Sequence, residues 1–388
     1  MNTSESKPNV GLYKVISAIL IGIVLILVVG IAVNGWQEDQ PNGDNSGDGG
    51  ENNSTADADQ PGGDTDEETS GTADNISDPT EGEEDEKKEN EEPKFYNYLT
   101  GLECTEDVYR NIPYASVFEP NAPLYGISDA ELVIEIPTEN GNTRYMLFNS
   151  DISGLGKIGA FCKTRNYISQ IVKFFGGIHV AYGKDDIVSY DAIPSTLHLN
   201  LAEKSDYVYK ENGKNIYSDA DKIETLAENE GIDTKTLANQ ALPFEFCEIN
   251  GKVKGKTLAN KILIPYKTDL ETALTYDEAS GTYMLSKGGR NKIDMLDGSV
   301  AAFKNVFILF ADMITYELSE GTQTVVQTAT SGTGYYITCG TLIEIRWSVN
   351  DSGLLEFRDL NGDILTVNRG NSYISYYKSA TADDVIFE

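Results

Sequence analysis

The chain has 388 residues, with 62 acidic and 30 basic side chains and a net charge of −32. That excess of acid argues against nucleic acid as a partner, because a phosphate-binding surface needs clustered Lys and Arg. The nearest cluster, Lys252, Lys254, Lys256 and Lys261, alternates along the chain like the exposed face of a strand. Four widely spaced cysteines, Cys104, Cys162, Cys247 and Cys339, form no C-x-x-C pair and exclude a zinc ribbon.

The first predicted element is Val15–Val33, a run without charge. At 1.5 Å rise per residue it spans roughly 28 Å, close to the ~30 Å of a bilayer core. Lys7 and Lys14 precede it and the next bases are Lys87 and Lys88. That bias predicts a cytoplasmic N-terminus (1–14), a single-pass signal-anchor helix (15–35) and extracellular domains beyond it. The apolar core is longer than the ~7–15 residues of a cleaved signal peptide, and Ala32-Val33-Asn34 is a poor cleavage site. The first cysteine is Cys104, too distant to carry a lipid.

Residues 36–93 read as an acidic linker. From Gln37 to Pro93 there are 21 acids against two lysines, with Ile76 the one aliphatic residue larger than alanine and no aromatic. Such a segment cannot bury enough apolar surface to offset its ordering entropy, so disorder is expected, with ends on the order of 40 Å apart. Residues 94–388 keep 40 acids and 26 bases, 26 − 40 = −14.

Residues 94–244 predict an α+β domain. After a strand near Ala115–Phe118, Glu131–Ile136 alternates apolar and acidic residues as a half-buried strand, and the turn Glu139–Asn142 leads into Arg144–Asn149 as its hairpin partner. Tyr167, Ile168, Ile171, Val172 and Phe175 make a helix face ended by Gly176-Gly177. Ile178–Tyr182 reads as a buried strand. Ser218 or Asp219 can cap a helix to Asn229 with Gly231 beyond it, and Asp233 a further one to Ala241. From Phe244 the helical period disappears. Short apolar alternations at 261–266, 282–286, 302–310, 334–338, 342–349, 354–357, 364–367 and 373–377, separated by Gly, Asn and Asp, predict a β-rich domain, sandwich or barrel-like, over 245–388.

Several stretches in this order resemble one family. They are Leu99-Thr100-Gly101-Leu102, Pro123 to Ala130 running into Val133 and Glu135, Gly141 to Arg144, Ile158-Gly159 with Arg165, and Asn215-Ile216-Tyr217. Tyr276-Asp277-Glu278, Gly281, Tyr283, Asn305-Val306, Gly332 to Gly334, Trp347 and Phe357 to Gly362 come after them. The chain is similar to the YerB-like family, and the resemblance implies a bacterial cell-envelope protein with two domains of unknown function. It also marks departures. Cys162 stands where the family pattern has an arginine, Ala181 and Lys214 stand where it has histidines, and a transmembrane anchor replaces the family's lipid.

The residues offer little catalytic chemistry. Only two histidines exist, and His179, inside an apolar strand, reads as a core residue. Cys339 lacks the upstream histidine and Ser-x-Gly of a wall transpeptidase, and pairing of Cys162 with His179 would need the fold to join them. Asp359 to Asp363 reads as a hairpin turn, since Ile364 occupies the position where a calcium loop needs glycine. No motif points to a cofactor or metal. The candidate ligand-binding residues are Glu135, Arg144, Lys163 and Arg165, expected to line a pocket for a carboxylate or phosphate beside the Gly-rich stretch Ser153–Gly159. An alternative for Glu135 and Arg144 is a structural salt bridge. The leading expectation is a membrane-anchored extracytoplasmic binding or scaffolding protein. A wall hydrolase or transferase using carboxylates such as Glu135 and Asp129, and an envelope protein–protein interaction module, stand as alternatives. Partners are then the membrane through Val15–Val33 and a cell-wall polymer or envelope protein.

Overall fold

A computed structural model describes residues 94–388 apart from 185–196, 236–240, 250 and 319–320. The apolar run Val15–Val33, the acidic linker and most of the helix expected after Asp233 lie outside the described residues. Among the described residues no helix is long and apolar enough to cross a membrane. The architecture is β-rich with few helices.

A fourteen-stranded sheet forms the frame. Near its middle, Leu132–Pro137 and Thr143–Asn149 make the expected hairpin, with Glu135 opposite Tyr145 and Ile136 opposite Arg144. Asn140 takes a left-handed φ of 58° in the connecting turn. Tyr114–Phe118 continues the sheet antiparallel to Thr143–Asn149, followed by Lys157–Phe161, Asn215–Asp219 and Tyr209–Glu211. On the other side of Leu132–Pro137 lies Ser372–Lys378, parallel to it. Beyond that come Asn305–Ala311, Ser331–Thr338 and Thr341–Val349. Strands from both sides of residue 245 thus form one continuous sheet.

A second sheet of six strands contains Lys261–Ile264, Thr272–Asp277 and Thr282–Lys287. It covers one face of the large sheet, where Ile262, Leu274, Tyr283 and Leu285 join Val133, Tyr145, Leu147, Ile308 and Tyr373 in one core. The opposite face carries the alternate residues Ile134, Met146, Phe148, Phe307 and Ile374. These pack on the helix Asn166–Phe175 through Ile168, Ile171 and Phe175, and on Trp347 and Phe357. With side chains alternating between faces, each central strand is apolar on both sides, and the large sheet is the middle layer. Each such fully buried side chain contributes roughly 1.5–3 kcal/mol relative to exposure. Leu132–Pro137 is therefore buried throughout rather than half-buried. The C-terminal half is β-rich as expected, but of these two sheets only the six-stranded one is built from it alone, while the large sheet draws strands from both halves.

The two longer helices lie where the sequence placed them, although neither Ser218 nor Asp219 makes a side-chain capping hydrogen bond. Asn166–Phe175 buries the predicted face and ends at Gly176, whose φ is +68°. Ala220–Asn229 starts after Asp219 and ends just before Gly231 at φ +71°. Several elements went unread in the sequence, among them the short helix Glu106–Arg110 and the strand Tyr209–Glu211. Lys157–Phe161 is a strand, although its glycine-rich approach suggested a loop, and Met313–Leu318 pairs with Gly321–Val326 as a separate hairpin. The loop before Val133 is tied to the second half by Asp294. Its carboxylate is fully buried and accepts from the Gly126 and Ser128 amides at 3.0 and 2.9 Å.

Candidate functional site

Several strands of the large sheet finish at one end, and the residues just beyond them define a groove. Glu119 comes after Tyr114–Phe118, Cys162 and Lys163 after Lys157–Phe161, and Tyr182 after Ile178–Ala181. The turn between Tyr209–Glu211 and Asn215–Asp219 uses Asn212 and Gly213, both at positive φ, to fold Lys210 and Lys214 back toward them. With Arg144, these residues line a groove of about 630 Å³. Its lining holds four cations, Arg144, Lys163, Lys210 and Lys214, against the single carboxylate of Glu119, a local charge of 4 − 1 = +3.

Arg144 sits deepest of the four. Its Nη1 donates to Glu119 Oε2 at 2.9 Å, while its Nε is buried with no hydrogen-bond partner. A buried unpaired N–H costs roughly 1–3 kcal/mol, so an acceptor entering here would recover part of that cost. Burial pushes the neighbouring Cys162 thiol up to about 12, against the pull of Arg144. The thiolate, the reactive form, is therefore disfavoured at this position.

The four residues expected to share a pocket do not all meet. Arg144 and Lys163 line the groove. Arg165 precedes the helix Asn166–Phe175, is 7% exposed, and places Nη2 2.8 Å from Glu139 Oε1. Glu135 is a correction: it is fully buried between the two sheets, on the opposite face from Arg144. Its carboxylate accepts from Thr143 Oγ1 at 2.7 Å, Thr272 Oγ1 at 2.8 Å, Lys287 Nζ at 2.5 Å and the Tyr373 hydroxyl. The suggested Glu135–Arg144 salt bridge is likewise absent, because residues opposed as Glu135↔Tyr145 and Ile136↔Arg144 put Glu135 and Arg144 on different faces. The Gly-rich stretch contributes only its continuation, Ala160 and Phe161.

Lys210, Lys214 and Tyr182 were missed as lining residues. The Lys-Glu-Asn-Gly-Lys spacing of a tight hairpin was the available signal for the lysines. Of the three single-residue departures from the family pattern, Cys162 and Lys214 line this groove and Ala181 directly precedes Tyr182.

The other candidates fall into structural positions. His179 lies in a buried strand, its Nδ1 3.3 Å from Ser169 Oγ and its ring 4.9 Å from that of His198. Asp359 Oδ1 accepts from the amides of Asn361 and Asp363, closing the expected turn. Cys339 occupies a hairpin turn with φ 51°.

The chain matches the N-terminal domain model of a protein family of unknown function, DUF3048, over residues 99–233, and the C-terminal domain model of the same family over 262–374. A solved structure, that of the YerB protein from Bacillus subtilis, superposes with a TM-score of 0.66 at 21% identity, covering 76% of this chain and all of that one. Comparison with curated proteins finds no match. These matches define a two-domain family of unknown function. The chain belongs to the DUF3048, YerB-like family.

Proposed function

We propose that this is a membrane-anchored extracytoplasmic binding protein of the cell envelope whose groove around Arg144 accepts a carboxylate- or phosphate-bearing wall polymer. The observation that carries the reading is the charge inversion: lining residues at +3 on a chain whose residues 94–388 sum to −14. Positive potential confined to one concavity selects an anionic ligand while the remaining surface repels non-specific ones. The buried, unpartnered Nε of Arg144 supplies a directional donor at its base. Binding is favoured over hydrolysis, since Glu135 is sealed between sheets and burial disfavours the Cys162 thiolate.

The test uses the full-length chain in detergent, mixed with isolated wall sacculi and sedimented. Wild-type protein should pellet and be released by raised salt, while Lys210→Glu with Lys214→Glu should lose most of its retention. Equal pelleting of the variant would remove the groove from the reading. Soluble wall fragments in the supernatant would replace binding by catalysis. The second reading, an envelope-protein partner, draws on the hairpin Met313–Leu318 and Gly321–Val326, where Ile314 and Tyr316 are exposed. Wild-type protein that fails to pellet would leave that hairpin as the surface to pursue.

A further inference from the structure

The fold brings two of the four cysteines, ninety-two positions apart in sequence, to opposite ends of one amide. Asn368 is fully buried. Its Oδ1 lies 3.5 Å from Cys247 Sγ, and its Nδ2 lies 3.6 Å from Cys339 Sγ. The same side chain accepts from the Gly251 amide at 2.8 Å and donates to Val253 O and Thr338 Oγ1, each at 3.0 Å. Cys247 comes directly after the short strand Glu245–Phe246, which pairs in parallel with Thr366–Val367, so Cys247 emerges beside Asn368. Cys339 is presented by the turn between Ser331–Thr338 and Thr341–Val349. The other two lie elsewhere: Cys162 beside Arg144, and Cys104 within the field of Glu131.

We infer that Cys247 and Cys339 are a disulfide-forming pair, closed by exchange with a small-molecule or protein disulfide. Cys339, the more exposed of the two, reacts first. Its thiolate attacks one sulfur of the external disulfide, forming a mixed disulfide and expelling a thiolate. The Cys247 thiolate then attacks the protein sulfur of that mixed disulfide and expels the second external thiolate. Two protein thiols become one S–S bond, one external disulfide is reduced to two thiols, and the two protons pass to the expelled sulfurs. The Asn368 side chain sits between the sulfurs and must withdraw or rotate for closure, so the bond competes with the polar network that Asn368 holds. The product ties the segment entering the second half of the chain to the turn at the edge of the large sheet.

The experiment treats the full-length, detergent-purified chain with oxidised glutathione at graded ratios, blocks residual thiols, and maps peptides without reduction. Support is a peptide pair joining Cys247 to Cys339 within a monomer, with the intact mass lowered by two hydrogens. In Cys339→Ser the joined peptide should vanish and Cys247 should carry a glutathione adduct or remain free. The inference is overturned by stable adducts on both cysteines without closure, by pairing with Cys104 or Cys162 in preference, or by both thiols remaining free for alkylation at full oxidant. Because the mapping is done on the wild-type chain, it does not depend on any variant folding.

Discussion

Lys287 Nζ lies 2.5 Å from Glu135 Oε1, with both side chains sealed from solvent, and the two residues come from different sheets and different halves of the sequence. Burial raises the Glu135 carboxyl, but Lys287, Tyr373 and Thr143 override it and hold the group below its ordinary value. Removing one partner leaves the other charge buried alone, at a cost of about 3–5 kcal/mol. Lys287→Met should therefore lower the denaturation midpoint strongly, and Lys287→Met with Glu135→Leu should recover a large part of the loss. A double variant no more stable than the single one would show that the junction depends on hydrogen bonds from Thr143, Thr272 and Tyr373 more than on charge. Since the folded carboxyl is depressed, the stability it contributes is present above the unfolded carboxylate value near 4.5 and is lost as pH falls through the folded value.

Glu131 should produce the opposite slope. Burial pushes its carboxyl up to about 7, although the Ser150 amide at 2.7 Å and Asn97 Nδ2 at 3.1 Å favour the charged form. A raised folded value means its contribution is full below about 4.5 and disappears as pH climbs through about 7. Glu131→Gln should flatten the decline in urea midpoint between those limits and make the protein more stable than wild type at pH 8. An unchanged pH profile in the variant would count against the shift.

The two histidines oppose Glu131 in the same window. Burial, and then the neighbouring His198, hold His179 well below the usual 6.5. Burial also lowers His198, where Glu203 raises and Lys184 lowers its affinity for protons. A depressed folded value gives stability above 6.5 that is lost as pH falls toward it. In histidine-labelled protein, the His179 ring should keep neutral-imidazole shifts at pH 5.5, where a free histidine is mostly charged. A His179 signal midway through its titration at pH 6.5 would contradict this.

Gly332 is a steric test of the sheet. A Cβ there would stand 2.2 Å from Phe310 O and 2.6 Å from Trp347 Nε1, the two atoms that share a 3.1 Å hydrogen bond. Gly332→Val should therefore cost several kcal/mol, of order 3 or more, and shift Trp347 emission to longer wavelength. Retained stability with unchanged fluorescence would mean that the strand shifts to accommodate the methyl groups.

The 3.6-residue pattern reported burial directly in Asn166–Phe175, whereas the period-two alternation placed Leu132–Pro137 as a strand but misjudged the burial of its acidic side. They could not reveal that Ser372–Lys378 inserts beside Leu132–Pro137, since parallel pairing across more than two hundred residues leaves no local mark. The site was half legible. Arg144 and Lys163 were found by charge beside a turn, whereas Glu135 was misplaced although counting outward from the hairpin turn already sets it and Arg144 on opposite faces. Lys210 and Lys214 escaped because nothing in the sequence says which distant hairpin closes a groove.

Ser372–Lys378 lies between Asn305–Ala311 and Leu132–Pro137, and six of its seven residues are buried. Synthesis runs from the N-terminus, so the Leu132 edge must wait, unpaired on that side, until some two hundred and forty further residues have been made. Neither half can complete its hydrogen bonding in advance of the other. A message cut short before residue 372 would yield a product with two open strand edges, visible to any protease that patrols for unfinished chains.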